Sequence, residues 1–371
     1  MYSSIPQHQG QFSIDGPMSK SQDILLEQRG RCGVATLNRP RTLNALSYPM
    51  IAELEAHYIK WAEDPFIYGA VLRSASDRAF CSGGDLKTIY KARESGKLDT
   101  ILEKYASEYQ HNWTLDRFMK PHVALMNGIV FGGGVGASLY GTHKVAGENY
   151  RLAMPEVRIG FFPDVGATYF LPRMPGQLGL YLALTGNPID RADAYALGLL
   201  THCIDATEFE EICEALSEAE PVDPLLDNRH TDPGPSSLMA MQDQIDRYFS
   251  QSSVDAILSA LDDASGEESD WAKETATTIR RNSPLSLKVA FRQLTAYGQL
   301  SLDAALALEA RIAYAFLTGE ELYEGVRALL VDKDGSPNWS PAKLEDVSDE
   351  MVDAILAAGR APGFSPTNPF V

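Results

Sequence analysis

The sequence contains no long apolar run and has few basic residues. No segment approaches the roughly 18 to 20 apolar residues needed to span a bilayer, which predicts a soluble protein. Among 371 residues, 32 Lys and Arg stand against 50 Asp and Glu, a formal charge of -18. This acidic excess repels a polyphosphate backbone, so a nucleic-acid partner is not expected. A hydrophobic content of 44% is too high for a disordered chain.

Cysteine and histidine are also scarce. The four cysteines form no CxxC pair, which predicts reduced thiols and a cytoplasmic location. The 7 histidines are scattered without metal-ligand spacing, so no metal site is predicted. The motifs GxxxxGK(S/T), GxSxG and HExxH are missing. Phosphate-loop, serine-elbow and zincin chemistry therefore have no support in the sequence.

The chain is predicted to have four parts. Residues 1–22 are polar and predict a flexible extension, and residues 23–217 predict an α/β core that carries the site. Residues 218–237 are rich in Pro, Asp and Ser and predict a linker, whereas residues 238–371 show only helical patterns. The core is expected to open with a hairpin on either side of Gly30, because short apolar runs flank it.

Two glycine-rich segments each follow a predicted strand and precede a predicted helix. They read AFCSGGDLK from Ala79 to Lys87 and GIVFGGGVG from Gly128 to Gly136. In the second, a tight turn is expected over residues 132–136 before a helix begins at Ala137. Such glycines let the backbone approach a ligand and leave amide N–H groups to stabilise developing negative charge. Tight turns or close packing explain either segment alone, but two such segments favour a shared site.

The second glycine segment also satisfies the dinucleotide fingerprint GxGxx(G/A), with Glu156 lying 20 residues beyond Gly136. A triple glycine matches this pattern easily, and Glu156 lies in a loop-like stretch. The nicotinamide alternative is therefore the weaker one.

Two carboxylates, Glu156 and Asp164, lie in the otherwise apolar stretch AMPEVRIGFFPDVG. Acids among apolar groups lose hydration, which raises their proton affinity and suits general acid or base catalysis. The alternative is structural: Asp164 would cap a helix, and Glu156 would form a surface ion pair with Arg158.

Together, AFCSGGDLK, GIVFGGGVG and MPEVRIGFFPDVG resemble the signature segments of the crotonase (enoyl-CoA hydratase/isomerase) superfamily. The resemblance extends over nearly the whole chain from about Ile24, and EGVRALLVDKDGSPNW in the tail is typical of the hydrolase branch. That branch cleaves 3-hydroxyisobutyryl-CoA in valine breakdown. The resemblance implies an α/β fold, with a crotonase-like ββα spiral core and a C-terminal helical subdomain.

The resemblance also implies roles for single residues. The amides of Gly84 and Gly133 would form an oxyanion hole for a thioester carbonyl, with Glu156 as catalytic glutamate and Asp164 as second acid. Hydratases carry another glutamate where this chain has Gly136, which favours hydrolysis over addition of water to a double bond. The hydrolase branch carries an acid where this chain has Lys91, so the resemblance does not decide the identity of the acyl group.

Coenzyme A, present only as part of the substrate, needs local cations in so acidic a chain. The predicted substrate and coenzyme A contacts are Arg39, Arg41, Lys87, Gly83 and Gly132, and Lys288 and Arg292 lie on a predicted helix in the tail. Solvated surface charge is the alternative for each cation. No separate cofactor is expected, and a homo-oligomer is compatible with the resemblance.

Two other functions stay open. One is an enoyl-CoA hydratase or isomerase, and the other is a crotonase-like binding or assembly module without catalysis. The second is disfavoured because Gly84, Gly133, Glu156 and Asp164 are all present, and a scaffold has no physical need for that combination.

Overall fold

The computed structural model describes residues 22–357 and 364–371. The predicted extension over residues 1–22 therefore lies outside the described residues, apart from Gln22.

The strands of the described part form two sheets. They are β1 (Ile24–Arg29), β2 (Cys32–Leu37), β3 (Gly69–Ser74), β4 (Ala79–Cys81), β5 (His122–Met126), β6 (Ile129–Phe131), β7 (His143–Ala146), β8 (Arg151–Ala153), β9 (Ile189–Asp190) and β10 (His202–Cys203). The larger sheet has the order β1-β2-β3-β5-β7-β10 and the smaller one β4-β6-β8-β9. The predicted hairpin is confirmed: β1 and β2 pair antiparallel, and Gly30 turns between them at φ 51°.

The helices of the core surround these sheets, and those after β10 lead into an all-helical region. In chain order they are α1 (Tyr48–Glu63), α2 (Leu86–Glu94), α3 (Leu98–Arg117), α4 (Gly133–Leu139), α5 (Ala167–Phe170), α6 (Leu178–Thr185), α7 (Arg191–Ala196), α8 (Phe209–Ser217), α9 (Val222–Asp227), α10 (Ser237–Ala240), α11 (Gln242–Phe249), α12 (Val254–Asp262), α13 (Ser269–Arg280), α14 (Pro284–Tyr297), α15 (Leu302–Thr318), α16 (Glu321–Val326) and α17 (Asp349–Leu356). The helices after residue 237 agree with the predicted all-helical tail.

Three parallel strands of the smaller sheet bring the sequence motifs together. β4 pairs parallel with β6, and β6 pairs parallel with β8. The carboxyl ends of all three strands therefore lie at the same edge, which is where α/β sheets place their ligands. Gly84 follows β4, Gly133 follows β6 and Glu156 follows β8.

The tight turn predicted over residues 132–136 is wrong, because α4 already begins at Gly133. Its glycines serve close packing inside the helix. A Cβ at Gly134 would lie 2.8 Å from the Cβ of Cys81, on the neighbouring strand β4. Tertiary packing thus overrides the poor helix propensity of glycine here.

The segment predicted as a linker contains α9, whose Val222, Leu225 and Leu226 are buried against the larger sheet. The helical tail packs directly on the core. Phe316 of α15 stacks on Phe162 with ring centroids 5.7 Å apart. The tail therefore shares one hydrophobic core with the sheets, and the division into domains stays a prediction.

Candidate active site

A cavity of about 510 Å³ opens at the carboxyl ends of β4, β6 and β8. Both glycine segments, both predicted acids and three further charged side chains line it. The residues used below are Arg41, Gly83, Gly84, Asp85, Lys87, Lys104, Tyr105, Glu108, Gly132, Gly133, Glu156, Asp164, Leu329 and Leu330.

Two backbone amides beside this cavity have no hydrogen-bond partner among the described residues. The bridge between Leu46 and Gly84 uses the carbonyl of Gly83 and the amide of Asp85, so it leaves out the Gly84 amide. Gly133 is the first residue of α4, and the first amides of a helix have no partner within it. A Cβ at Gly83 would lie 3.7 Å from the Gly133 nitrogen, so the two segments touch. Two such amides, on segments that touch at one cavity, are suited to binding an oxyanion.

Glu156 lies in a short 3-10 helix, Glu156–Ile159, just after β8. Its side chain is buried, with only 6% of the residue exposed. Within the described protein, Oε2 has no hydrogen-bond partner. Burial raises the pKa of Glu156 well above its ordinary range, and the nearby Asp164 carboxyl adds to the rise. A carboxyl with a free oxygen and high proton affinity is suited to accepting a proton.

Asp164 is equally buried and accepts a hydrogen bond of 2.8 Å from the Tyr109 hydroxyl. Burial raises the pKa of Asp164 well above its ordinary range, and the charges of Glu108 and Glu309 add to this. Glu156 and Asp164 therefore titrate as an interacting pair in one cavity.

The structural alternative for these two acids is wrong. Arg158 does not pair with Glu156 but donates to the Thr185 carbonyl and to Asn187, each at 3.0 Å. The residue preceding α5 is Gly166, and no side chain caps that helix, so Asp164 has no capping role.

The dinucleotide alternative also does not fit. A Cβ at Gly132 would lie 2.7 Å from Glu156 Oε1, so this carboxyl occupies the N-terminus of α4. In a dinucleotide fold, the anionic pyrophosphate binds at that helix end. The Glu156 carboxyl fills space that a bulky pyrophosphate would need there.

Sequence reasoning missed a buried ion pair in the cavity. Lys104 and Glu108 lie one turn apart on α3, with Lys104 Nζ 3.0 Å from Glu108 Oε2. Their side chains are only 7% and 5% exposed. The available signal was weak: Ile101, Tyr105 and Tyr109 mark the same face of α3 as buried, at helical spacing.

The predicted coenzyme A contacts divide into two groups. Arg41 and Lys87 line the cavity and are exposed at its rim. Arg39 does not line it, because its guanidinium donates to the Ala45 carbonyl at 2.6 Å and pairs with Asp85 at 3.0 Å.

The tail cations and Lys91 also lie apart from the cavity lining. Lys288 pairs with Asp255 at 3.3 Å, and Arg292 pairs with Asp349 and Asp353. Lys91 is exposed on α2.

Glu309 of α15 holds the loop that carries Asp164. It accepts hydrogen bonds from the Gly166 amide at 2.6 Å, and from the Thr168 amide and hydroxyl at 2.9 and 2.7 Å. Burial raises the pKa of Glu309 to about 7, although these three donors favour its ionised form. The helical tail thus positions a site residue of the core.

Replacing Glu309 with Gln should lower the free energy of unfolding at pH 5 by about 1–3 kcal/mol, because an amide NH₂ cannot accept from these donors. The folded pKa of Glu309 is raised, so its stabilising effect is greatest below about pH 4.5 and is lost as pH rises through about 7. The difference in the free energy of unfolding between wild type and variant should therefore narrow as pH rises from about 4.5 to about 7, as measured by denaturant titration. Thr168→Val, which removes one donor, is the matched control and should cost less. A difference that widens with pH would contradict the assignment.

The described residues offer neither a metal site nor a membrane span. They contain no group of three His, Cys, Asp or Glu side chains placed to hold a metal ion. They also contain no helix that combines the length and the apolar character of a membrane span.

Known proteins resemble most of the chain. The sequence pattern of the family described as "Enoyl-CoA hydratase/isomerase" matches residues 32–356. The mitochondrial 3-hydroxyisobutyryl-CoA hydrolase of Danio rerio is 39% identical over 360 residues, 93% of each chain. That of Homo sapiens is 39% identical over 343 residues, covering 90% of this chain and 88% of the human protein. The crystal structure of a carnitinyl-CoA dehydratase from Mycobacterium thermoresistibile superposes with TM-score 0.87 at 35% identity, covering 93% of this chain and 99% of the other.

Proposed function

The chain belongs to the enoyl-CoA hydratase/isomerase family, and on that basis we propose that it hydrolyses a short branched 3-hydroxyacyl-CoA thioester. The proposed reaction converts 3-hydroxyisobutyryl-CoA to 3-hydroxyisobutyrate and free coenzyme A, a step of valine breakdown. The family match confirms the resemblance predicted from the three sequence segments. The similar solved structure confirms the crotonase-like α/β fold with its helical tail. The observation that carries the proposal is a buried carboxyl with a free oxygen, on Glu156, in the same cavity as two unpaired amides.

In the proposed reaction, the thioester oxygen binds at the amides of Gly84 and Gly133. These amides stabilise the negative charge that develops as water attacks the carbonyl carbon, and one such donor is typically worth about 2.7–4 kcal/mol. Glu156 Oε2 accepts the proton from this water. The carbon–sulfur bond then breaks, and the thiolate takes up a proton to leave as coenzyme A. Direct attack by Glu156, to give an anhydride that water opens, uses the same geometry.

Asp164 is proposed to orient the attacking water or the substrate hydroxyl. The Tyr109 hydroxyl donates to Asp164 Oδ2 and fixes its carboxyl, which leaves Oδ1 to contact a ligand. Glu156 and Asp164 hinder each other's ionisation because both would carry negative charge in one cavity. One of the two carboxyls therefore keeps a proton more readily than an isolated acid would. That proton is available to the leaving sulfur.

Hydrolysis is favoured over hydratase chemistry by the surroundings of Gly136. A Cβ at this position would lie 2.7 Å from the Cβ of Val165 and 2.8 Å from Asn112 Nδ2. The position of the hydratases' second glutamate is therefore a glycine in this chain, and its surroundings leave no space for a glutamate side chain. Carnitinyl-CoA dehydratase is the name of the similar solved structure, whereas the curated relatives above are named as hydrolases.

Arg41 and Lys87 are proposed to contact the phosphates of coenzyme A, because both are exposed at the rim of the cavity. Arg39 does not belong to this set, since its guanidinium pairs with Asp85 and does not line the cavity. Water and the side chains named above suffice for the reaction, so we propose no further cofactor.

The proposed function is tested by incubating the protein with 3-hydroxyisobutyryl-CoA, 3-hydroxypropionyl-CoA and crotonyl-CoA. Products are identified by mass spectrometry while free thiol is titrated in parallel. Free coenzyme A together with a hydroxy acid supports the hydrolase and ranks the two hydroxyacyl groups. Hydroxybutyryl-CoA formed from crotonyl-CoA without free thiol would instead show a hydratase.

The pH dependence of thiol release should reflect the raised pKa of Glu156. The carboxyl acts when ionised, so kcat/KM should fall as pH drops through this raised pKa. After burial, the Asp164 charge contributes most to the rise. Asp164→Asn should therefore move the acidic limb to lower pH, in addition to any loss of rate. Glu350→Gln, an exposed substitution on α17, should leave the limb in place. If the acidic limb of the kcat/KM profile does not move in Asp164→Asn, the Asp164 charge does not raise the pKa of Glu156.

A cytoplasmic location remains our proposal. It rests on the four cysteines, which are all free and buried in the described structure. The animal relatives above are named as mitochondrial proteins. Assembly into a homo-oligomer is likewise proposed, and light scattering of the purified chain would measure it.

A further inference from the structure

The ion pair of Lys104 and Glu108 spans the two proposed oxyanion-hole glycines. A Cβ at Gly84 would lie 3.3 Å from Lys104 Nζ, and a Cβ at Gly133 would lie 2.3 Å from Glu108 Oε1. The ammonium is thus beside one glycine and the carboxylate beside the other. Both side chains line the cavity next to the place where the thioester carbonyl is proposed to bind.

Both members of the pair keep unused hydrogen-bonding capacity. An ammonium has three N–H donors, and Lys104 spends one of them on Glu108 Oε2 at 3.0 Å. A second face of the ammonium lies over the ring of Tyr105, 4.9 Å from its centroid. Glu108 Oε1 accepts no hydrogen bond from the described residues. The pair therefore presents a charged donor and a charged acceptor side by side.

Stability alone gives little reason for this pair. Removing two charges from water costs several kcal/mol per ion, and apolar replacements of buried pairs are often neutral or stabilising. The cavity wall around the pair offers apolar neighbours, among them Tyr105, Leu329 and Leu330. The presence of Lys104 in this lining is better explained if it binds a polar group of the substrate.

The charges around Lys104 define that polar group. Four carboxyl side chains share the cavity with it: Asp85, Glu108, Glu156 and Asp164. An anionic acyl group would meet their combined repulsion. A neutral hydroxyl avoids the repulsion, because it accepts from the ammonium and donates to the carboxylate at the same time.

We propose that Lys104 is a specificity-determining residue that donates a hydrogen bond to the 3-hydroxyl of the acyl group, which in turn donates to Glu108. This inference rests on the proposed thioester hydrolysis and names the group that selects its substrate. Lys104 favours the hydroxylated acyl-CoA over an otherwise identical acyl-CoA without the hydroxyl. The advantage arises because a pocket built to pair a hydroxyl leaves its own charges unpaired when the hydroxyl is absent.

The test compares kcat/KM for 3-hydroxyisobutyryl-CoA with kcat/KM for isobutyryl-CoA, which lacks only the hydroxyl. In Lys104→Met, the ratio of the two should fall 10- to 100-fold, as expected for loss of a hydrogen bond to a charged group. Lys87→Met is the matched control. It removes a lysine at the rim of the same cavity, so it should weaken both substrates alike and leave the ratio unchanged.

Lys104→Met leaves Glu108 without its cation, so the double variant Lys104→Met/Glu108→Met covers the case of poor folding. It removes both charges, and its ratio should fall at least as far as in the single variant. A ratio kept within threefold of wild type in either folded variant would overturn the inference. An equal loss on both substrates would also overturn it, since Lys104 would then act on the common carbonyl.

The two proposals fail in different ways. If wild type releases no thiol from either substrate, the proposed hydrolysis fails. The ratio of the dissociation constants of the two acyl-CoAs, measured by calorimetry in parallel, still tests Lys104 in that case. If wild type releases thiol and only the ratio is unaffected by the substitution, the hydrolysis stands and the role of Lys104 fails.

Discussion

Replacing Glu156 with Gln lowers the turnover of the thioester by about 10²- to 10⁴-fold, the usual contribution of a general base. The amide has nearly the same shape as the carboxyl but cannot accept the proton of water near neutral pH. The unpartnered Oε2 of Glu156 makes this substitution informative, because no described residue loses a hydrogen bond to that atom. The measurement is kcat for thiol release under saturating substrate.

The fold and substrate binding should survive this substitution. Burial and a neighbouring acid raise the pKa of Glu156, so a neutral side chain is tolerated there at least as well as a charged one. The free energy of unfolding and the dissociation constant of the acyl-CoA should therefore stay close to the wild-type values. Wild-type turnover in a folded Glu156→Gln protein would remove Glu156 from the mechanism, whichever route it was proposed to follow.

The sequence located much of this site because its signals are local. Gly84, Gly133 and Glu156 each follow a strand. Because β4, β6 and β8 pair in parallel, their carboxyl ends lie at the same edge of the sheet and bring these residues together. Glu156 and Asp164 also stood out as acids among apolar residues. Burial in the structure agrees with that pattern.

Long-range packing decided what the sequence could not reveal. Lys104 and Glu108 have the spacing of an ordinary surface ion pair on a helix, and only the docking of α3 over the cavity buries them. Arg39 was predicted as a phosphate contact, yet Asp85 from the next segment engages its guanidinium. Both cases depend on which partner the fold brings near a charge, and local sequence does not encode that.

Replacing Gly136 with Glu lowers the free energy of unfolding by about 3 kcal/mol or more and does not produce a hydratase. The new side chain must enter packed space, because its Cβ alone would lie 2.7 Å from the Cβ of Val165 and 2.8 Å from Asn112 Nδ2. Overpacking and the burial of a charge each destabilise a protein. Thiol release should also fall, since Val165 adjoins Asp164 and any shift of its backbone moves that acid.

Gly136→Ala separates the two effects, because it adds the Cβ without the charge. It should be destabilised by about 1–3 kcal/mol, less than the glutamate variant, when both are measured by denaturant titration. Incubation of Gly136→Glu with crotonyl-CoA tests the chemistry, and no hydroxybutyryl-CoA should form. Asn112 of α3 already fills the space beside Gly136, so the packing of α4 against α3 leaves no room for a second catalytic glutamate here. If Gly136→Glu hydrates crotonyl-CoA efficiently, this packing is not the barrier, and the cavity is not that of a dedicated hydrolase.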